Sequence, residues 1–229
     1  MAVNKVGTID DWVRVTTVLA SVSDKTGLDS LARGLLEINP SVRILSTGGT
    51  FTALQQALGP AGAGSLQQVS AYTGQPEMQG GLVKTLDFRI YLGLLSETYN
   101  AAHAADLART SARPIDLVVV NLYPFESVSS AEGATLEDAR ANIDIGGPCM
   151  VRAAAKNFHR VAALTDPSDY PDVLDELMAH QGALSLATRY RLAQKAFAVT
   201  ARYDTAIAGY LQSTSFGAQR GTYSIRNGG

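Results

Sequence analysis

A chain of 229 residues with 46% hydrophobic and 17% charged side chains has the composition of an ordinary globular protein, long enough to bury one substantial core. A net charge of −2 excludes broad binding to nucleic acid or anionic membranes, no apolar run reaches membrane-spanning length, and Asp10-Asp11 is wrong for a signal peptide. The single cysteine, Cys149, forbids an internal disulfide and fits a reducing cytoplasm, and with three scattered histidines it makes no metal-ligand cluster.

Residues 1–13 carry no pattern and are expected to be a weakly ordered lead. Residues 16–22 are β-prone with little polar alternation, which suits a strand buried on both faces. Ser23 or Asp24 can cap the helix that follows, whose apolar stripe is Leu28, Leu31, Ala32 and Leu35, and which Pro40 ends. A second strand over residues 42–45 runs into Ser46-Thr47-Gly48-Gly49-Thr50. A helix marked by Ala53, Leu54, Ala57 and Leu58 follows and closes at Gly59-Pro60. Twice a strand delivers a hydroxyl- and glycine-rich turn to a helix start, where backbone N–H groups and Lys25 could converge on an anion. Each turn alone reads equally as an ordinary capped helix. Neither is a Walker loop or a dinucleotide fingerprint.

Residues 67–70 make a weaker strand, and residues 72–81 form a long polar, turn-rich segment of the kind that carries function. Lys84 beyond it reads by pattern as a surface lysine. Residues 90–105 look helical and Ala112-Arg113-Pro114 is a break. Residues 115–122 are the strongest strand in the chain, a near-continuous apolar run with Asn121 and Tyr123 emerging at its end. Thr135 caps a helix that ends near Asn142.

The segment 142–157 then places Gly146-Gly147 before Pro148, with Met150, Val151, Ala154 and Ala155 on one helical stripe. Asp144 stands just ahead of this helix, and Lys156 lies about three turns on. That arrangement suits an anion at the helix start, or else a buried turn with a solvated Arg/Lys face. A strand over 161–164, a helix over 170–180 and a helical region over 185–211, long enough for two helices, complete the pattern. Residues 213–229 are expected to be a flexible tail after a single domain over 14–212. Strands alternating with helices predict an α/β fold, a mainly parallel sheet with helices on both faces in three layers.

Read together, Ser21-Val-Ser-Asp-Lys-Thr-Gly27, Ser46-Thr-Gly-Gly-Thr50, Tyr72-Thr-Gly-Gln-Pro-Glu-Met78, Val83-Lys-Thr-Leu86, Asn121-Leu-Tyr-Pro-Phe125, Asn142-Ile-Asp-Ile-Gly-Gly147, Arg152-Ala-Ala-Ala-Lys-Asn157 and Asp166-Pro-Ser-Asp-Tyr170 resemble the IMP cyclohydrolase domain family of bifunctional purine-biosynthesis proteins. The resemblance implies a methylglyoxal-synthase-like fold with extra C-terminal helices, and closure of a formamidoimidazole carboxamide ribonucleotide to IMP. It implies Lys84, Tyr123, Asp144 and Lys156 as the catalytic set. Ser23, Asp24, Lys25, Thr26, Thr47, Gly48, Gly49 and Thr50 would hold the phosphate and ribose. Lys84, Thr85 and Asn121 would contact the base or the reacting groups, and Ile145, Gly146 and Gly147 would also bind the substrate.

It also implies a cytoplasmic homodimer, a small-molecule nucleotide as partner, and no metal or organic cofactor. The sequence ends where that family's transformylase domain begins, so a single activity is expected, with the formylated substrate made by a separate enzyme. The family usually has a basic residue where Leu82 stands, His-Pro at Asp87-Phe88 and His-Gly at Tyr91-Leu92. Arg89, and after it Arg152, is the expected replacement for the missing cation. Two other classes compete: a non-catalytic nucleotide-binding regulatory module, which would need no Asp144/Lys156 pair, and methylglyoxal synthase, which the Asn-Leu-Tyr-Pro-Phe and Asn-Ile-Asp-Ile-Gly-Gly motifs speak against.

Overall fold

The computed structural model describes residues 5–75, 84–215, 217 and 221–226. Its strands are β1 (Trp12–Arg14), β2 (Thr17–Val22), β3 (Arg43–Ser46), β4 (Leu66–Gln68), β5 (Leu117–Asn121), β6 (Ala162–Leu164) and β7 (Ala183–Ser185). β2 to β6 form one sheet in the order β4-β3-β2-β5-β6, parallel at every pairing. β1 and β7 pair antiparallel as a separate ribbon. The helices are α1 (Leu28–Ile38), α2 (Gly48–Gly62), α3 (Val69–Thr73), α4 (Phe88–Leu95), α5 (Ala101–Thr110), α6 (Phe125–Ser129), α7 (Leu136–Ala141), α8 (Gly146–Lys156), α9 (Tyr170–Ala179) and α10 (Leu186–Ser213).

The period-2 geometry of a strand sends alternate side chains to opposite faces. Val18, Ala20 and Val22 of β2, with Leu117 and Val119 of β5, meet α1 and α9 through Leu31, Leu35, Val173 and Leu177. Leu19, Val118 and Val120 face the other way, onto Ile90 and Leu94 of α4 and the Met150-Val151 and Ala153–Ala155 surface of α8. Both faces are covered, so the strands are apolar throughout. This is the expected three-layer α/β arrangement.

Several elements differ from expectation for local reasons. The helix expected over 90–105 is two helices, α4 and α5. The Asn100 side chain takes the N–H groups of Ala102 and His103 and starts a new helix. α1 begins after Gly27 in the left-handed region with no side-chain cap, because Asp24 accepts instead from the N–H and hydroxyl of Thr26. α10 is one helix of 28 residues. The patternless N-terminal segment supplies β1, and short β7 and α6 carried no sequence signal. Gly59 leaves the helical region (φ 60°, ψ −163°) ahead of Pro60, where the closing signal stood.

Buried charge fastens the N-terminal edge of the sheet. Arg160 donates to Asp116 Oδ1 (2.9 Å) and to the carbonyls of Ile115, Ser96 and Gly93, while Asp116 Oδ2 accepts from Thr16 and Thr17. Arg189 of α10, only 1% exposed, donates to the carbonyls of Asp10, Asp11, Phe158, His159 and Leu184. Among the described residues no helix is long and apolar enough to cross a membrane.

Candidate functional site

The chain runs from β2 outward to β3 and β4, then returns to lay β5 on the other side of β2. In an open parallel sheet that reversal leaves a crevice outside the carboxyl ends of the two central strands. The loops after β2 and β5 meet there and are tied by one side chain. Asn121 Oδ1 accepts from the N–H groups of Ser23 (2.7 Å) and Asp24 (2.9 Å), and its Nδ2 donates to the Asp24 carbonyl (2.8 Å). The amide expected to meet the substrate base is occupied in holding the first loop.

A cavity of about 350 Å³ opens at this edge. It brings together Ser23, Lys25, Thr47, Gly48, Gly49, Thr50, Lys84, Thr85, Asn121, Tyr123, Asp144, Ile145, Gly146 and Gly147 of the sequence-derived set. Asp24 and Thr26 cap each other and do not line it. Lys156 does not line it either. It is the exposed last residue of α8, roughly 15 Å along the helix axis from Gly146.

Part of the cavity is built for negative charge. α2 starts at Gly48, whose φ of +47° favours glycine. A Cβ built on Gly48 would lie 3.3 Å from Lys84 Nζ, and one on Gly49 would lie 4.0 Å from Lys25 Nζ. Two ammonium groups thus stand beside the free N–H groups of a helix N-terminus, which also carries partial positive charge. Thr50 is buried here for structural reasons: its hydroxyl accepts from Val22 N–H (2.9 Å) and donates to the Val22 carbonyl (3.0 Å), clipping α2 to the end of β2. The Ser21 and Thr47 hydroxyls are 3.3 Å apart on the wall.

The same cavity carries Asp144. Its carboxylate accepts from Gly147 N–H (2.9 Å) and from the main-chain N–H of Tyr123. Burial nevertheless raises its pKa above the ordinary 3.8, with the two N–H donors opposing the shift. Gly147 has to be glycine, because a Cβ there would stand 2.3 Å from Asp144 Oδ2 and 2.9 Å from Leu122 Cδ2. A Cβ on Gly146 would stand 2.8 Å from Thr85 Oγ1. Tyr123, 55% exposed, lies at the cavity rim.

Leu82 lies outside the described residues, as does most of the polar segment before it. Arg89 does not replace a cavity cation: its Nη1 donates to the Tyr72 and Thr73 carbonyls at 2.9 and 3.3 Å. Arg152 lies over the Phe197 ring, 5.6 Å from its centroid. Neither lines the cavity. Among the described residues no three His, Cys, Asp or Glu side chains come together as metal ligands do.

Motif reading missed Ser21, Leu86, Ile143 and Met150 on the cavity wall. It also missed Tyr203 of α10, whose hydroxyl accepts from Asp144 N–H (2.8 Å). Being 59 positions from Asp144, Tyr203 offered no local signal.

Two family models match consecutive stretches of the chain: the MGS-like domain over residues 27–149 and the AICARFT/IMPCHase bienzyme over residues 154–227. The bifunctional purine biosynthesis protein PurH of Xylella fastidiosa is 49% identical over 205 residues, covering 90% of this chain and 37% of that protein. PurH of Xanthomonas campestris is 48% identical over 91% of this chain and 38% of its own length. PurH of Magnetococcus marinus is 46% identical over 87% of this chain and 36% of its own. The chain thus spans little more than a third of these relatives. The crystal structure of ForH superposes with a TM-score of 0.70 at 33% identity, covering 86% of this chain and 99% of that one. With the MGS-like match covering more than half of the chain, from the start of α1 through the loop after β5 to the first turn of α8, and ForH matched almost end to end, the chain belongs to the MGS-like domain family.

Proposed function

We propose that this chain is an IMP cyclohydrolase. It closes 5-formamidoimidazole-4-carboxamide ribonucleotide to IMP with loss of water, in the cytoplasm and as a homodimer. The observation that carries the reading is one cavity that combines two lysines beside a helix N-terminus with a fixed, partly buried carboxylate. Such a cavity suits a nucleotide monophosphate whose base carries the reacting groups. The 46–49% identical PurH relatives support the same substrate class.

Lys25 and the α2 N-terminus hold the phosphate, with Ser23, Thr47, Gly48 and Gly49 around it, and Asn121 fixes the loop that presents Lys25. The base extends toward Thr85, Ile145, Gly146 and Gly147. Holding the formyl carbon against the carboxamide nitrogen supplies much of the acceleration, because the reaction is intramolecular. Asp144 takes a proton from the carboxamide nitrogen as its bond to the formyl carbon forms. Lys84 stabilises the charge that develops on the formyl oxygen. The formamido nitrogen loses the second proton as the ring C=N bond forms, and the oxygen leaves with both protons as water. Tyr123 at the rim delivers a proton to that oxygen.

The test is direct. Purified protein mixed with the formamido nucleotide should show the absorbance rise of purine-ring closure, at a rate that chelator does not change. No absorbance change, or a strict need for a divalent ion, overturns the reading.

A further inference from the structure

Asp144 belongs to the stretch between α7 and α8, where its position depends on whatever holds the loop. Its carboxylate is anchored by Gly147 and Tyr123. Its main chain is anchored from elsewhere. The Tyr203 hydroxyl accepts from Asp144 N–H at 2.8 Å and sits 3.3 Å from the Asn142 carbonyl, to which it donates. One phenol oxygen therefore satisfies a donor and an acceptor on either side of Ile143, which lines the cavity.

The ring is braced as well. It packs edge-on against Phe125 (6.2 Å between centroids, 70° between planes), and Phe125 also meets Tyr210 at 5.8 Å. Phe125 is 2% exposed and begins α6, two residues after Tyr123. α10 thus supports both loops that flank the carboxylate, and the hydroxyl is the part of Tyr203 that touches the Asp144 loop.

We propose that Tyr203 is a positioning residue for Asp144, its hydroxyl fixing the 142–144 main chain so that the carboxylate meets the reacting nitrogen. The proposal rests on the cyclohydrolase reading for its kinetic consequences and on the hydrogen-bond geometry alone for its structural ones. Burial raises the Tyr203 pKa, so the hydroxyl keeps the proton it donates to Asn142. Small displacements of a reacting group are costly: a misplacement of about 1 Å can lower a rate about 10²-fold.

Tyr203→Phe keeps the ring and its contact with Phe125 and removes only the oxygen. The variant should lose roughly tenfold or more in kcat, with KM for the nucleotide changed by no more than about twofold, the pattern of a lost transition-state interaction. In an Asp144→Asn background the same change should have no further effect, because the hydroxyl acts through a base that is already gone. A general structural defect would give the same loss in both backgrounds. Hydrogen exchange at the Asp144 amide, read by NMR, should be slow in the unaltered protein and about tenfold or more faster in Tyr203→Phe. Unchanged kcat, equal losses in both backgrounds, or unchanged exchange each overturns the proposal. If the unaltered protein closes no ring, the cyclohydrolase reading fails, and amide exchange alone decides whether Tyr203 holds the loop.

Discussion

Asp144 shows how much of a site can rest on one backbone arrangement. Two N–H groups and a glycine without a Cβ leave its carboxylate a single place to sit, half-buried in the cavity. As the proposed base it must be ionised, and burial holds its pKa above 3.8, so kcat/KM should rise with pH through a value above that. Asp144→Ala should lower kcat by roughly 10²-fold or more, with far less change in nucleotide affinity. Collapse of binding with turnover retained would make it a ligand-holding group instead. The same shift predicts a stability effect. A carboxyl whose folded pKa is raised stabilises below its unfolded value, and that contribution is lost as pH rises through the folded one. Asp144→Asn should therefore gain on the unaltered protein, in denaturant midpoint, as pH rises from about 4 through the raised folded pKa. Gly147→Ala tests the placement itself. Its Cβ would occupy the Asp144 oxygen position, so kcat should fall at least about tenfold while the fold melts cooperatively. Full activity in that variant would mean the carboxylate position is not critical.

At the scale of elements, Asn121 converts a strand end into a site wall. Its three hydrogen bonds to the Ser23-Asp24 main chain hold the loop that presents Lys25. Net hydrogen bonds are worth about 0.5–1.5 kcal/mol each, so Asn121→Ala should raise KM roughly tenfold or more and leave kcat nearly intact. A fall in kcat at unchanged KM would return Asn121 to the reacting groups, as the motif reading had it. That reading could see which strands end in polar turns, because β2 and β5 are apolar on both faces and their turn residues break the pattern. It could see the three-layer fold for the same reason. It could not see what Asn121, Thr50 and Asp24 do with their polar atoms. An amide at a strand end reads the same whether it meets a ligand or a neighbouring loop, and the choice is made by chain returning from a hundred residues away. Arg89 failed as a substitute cation on the same ground, since the carbonyls at the end of α3 claim its guanidinium.

At the scale of the molecule the two edges of the sheet divide the work. The N-terminal edge is closed by Arg160 and Asp116, while the carboxyl edge holds the cavity. Lys156 is the member of the motif-derived set that this arrangement leaves out. It ends α8 on the exposed surface, too far along the helix to reach its own Asp144. Its catalytic assignment and the expected homodimer are compatible in one arrangement, with Lys156 of one protomer completing the cavity of the other. The exposed Tyr123 on the rim leaves that side open to a second chain. Under that arrangement Lys156→Ala and Asp144→Ala should each be slow alone, by roughly 10²-fold. Mixed and allowed to exchange subunits, they should recover activity. Random pairing leaves about a quarter of the cavities with both groups intact, so the mixture should regain about a quarter of the native rate. Light scattering should find dimers at the assay concentration. Two inactive variants that stay inactive when exchanged would end the sharing of Lys156, and a fully active Lys156→Ala would remove it from the catalytic set, leaving Asp144, Lys84 and Tyr123 to carry the chemistry within one chain.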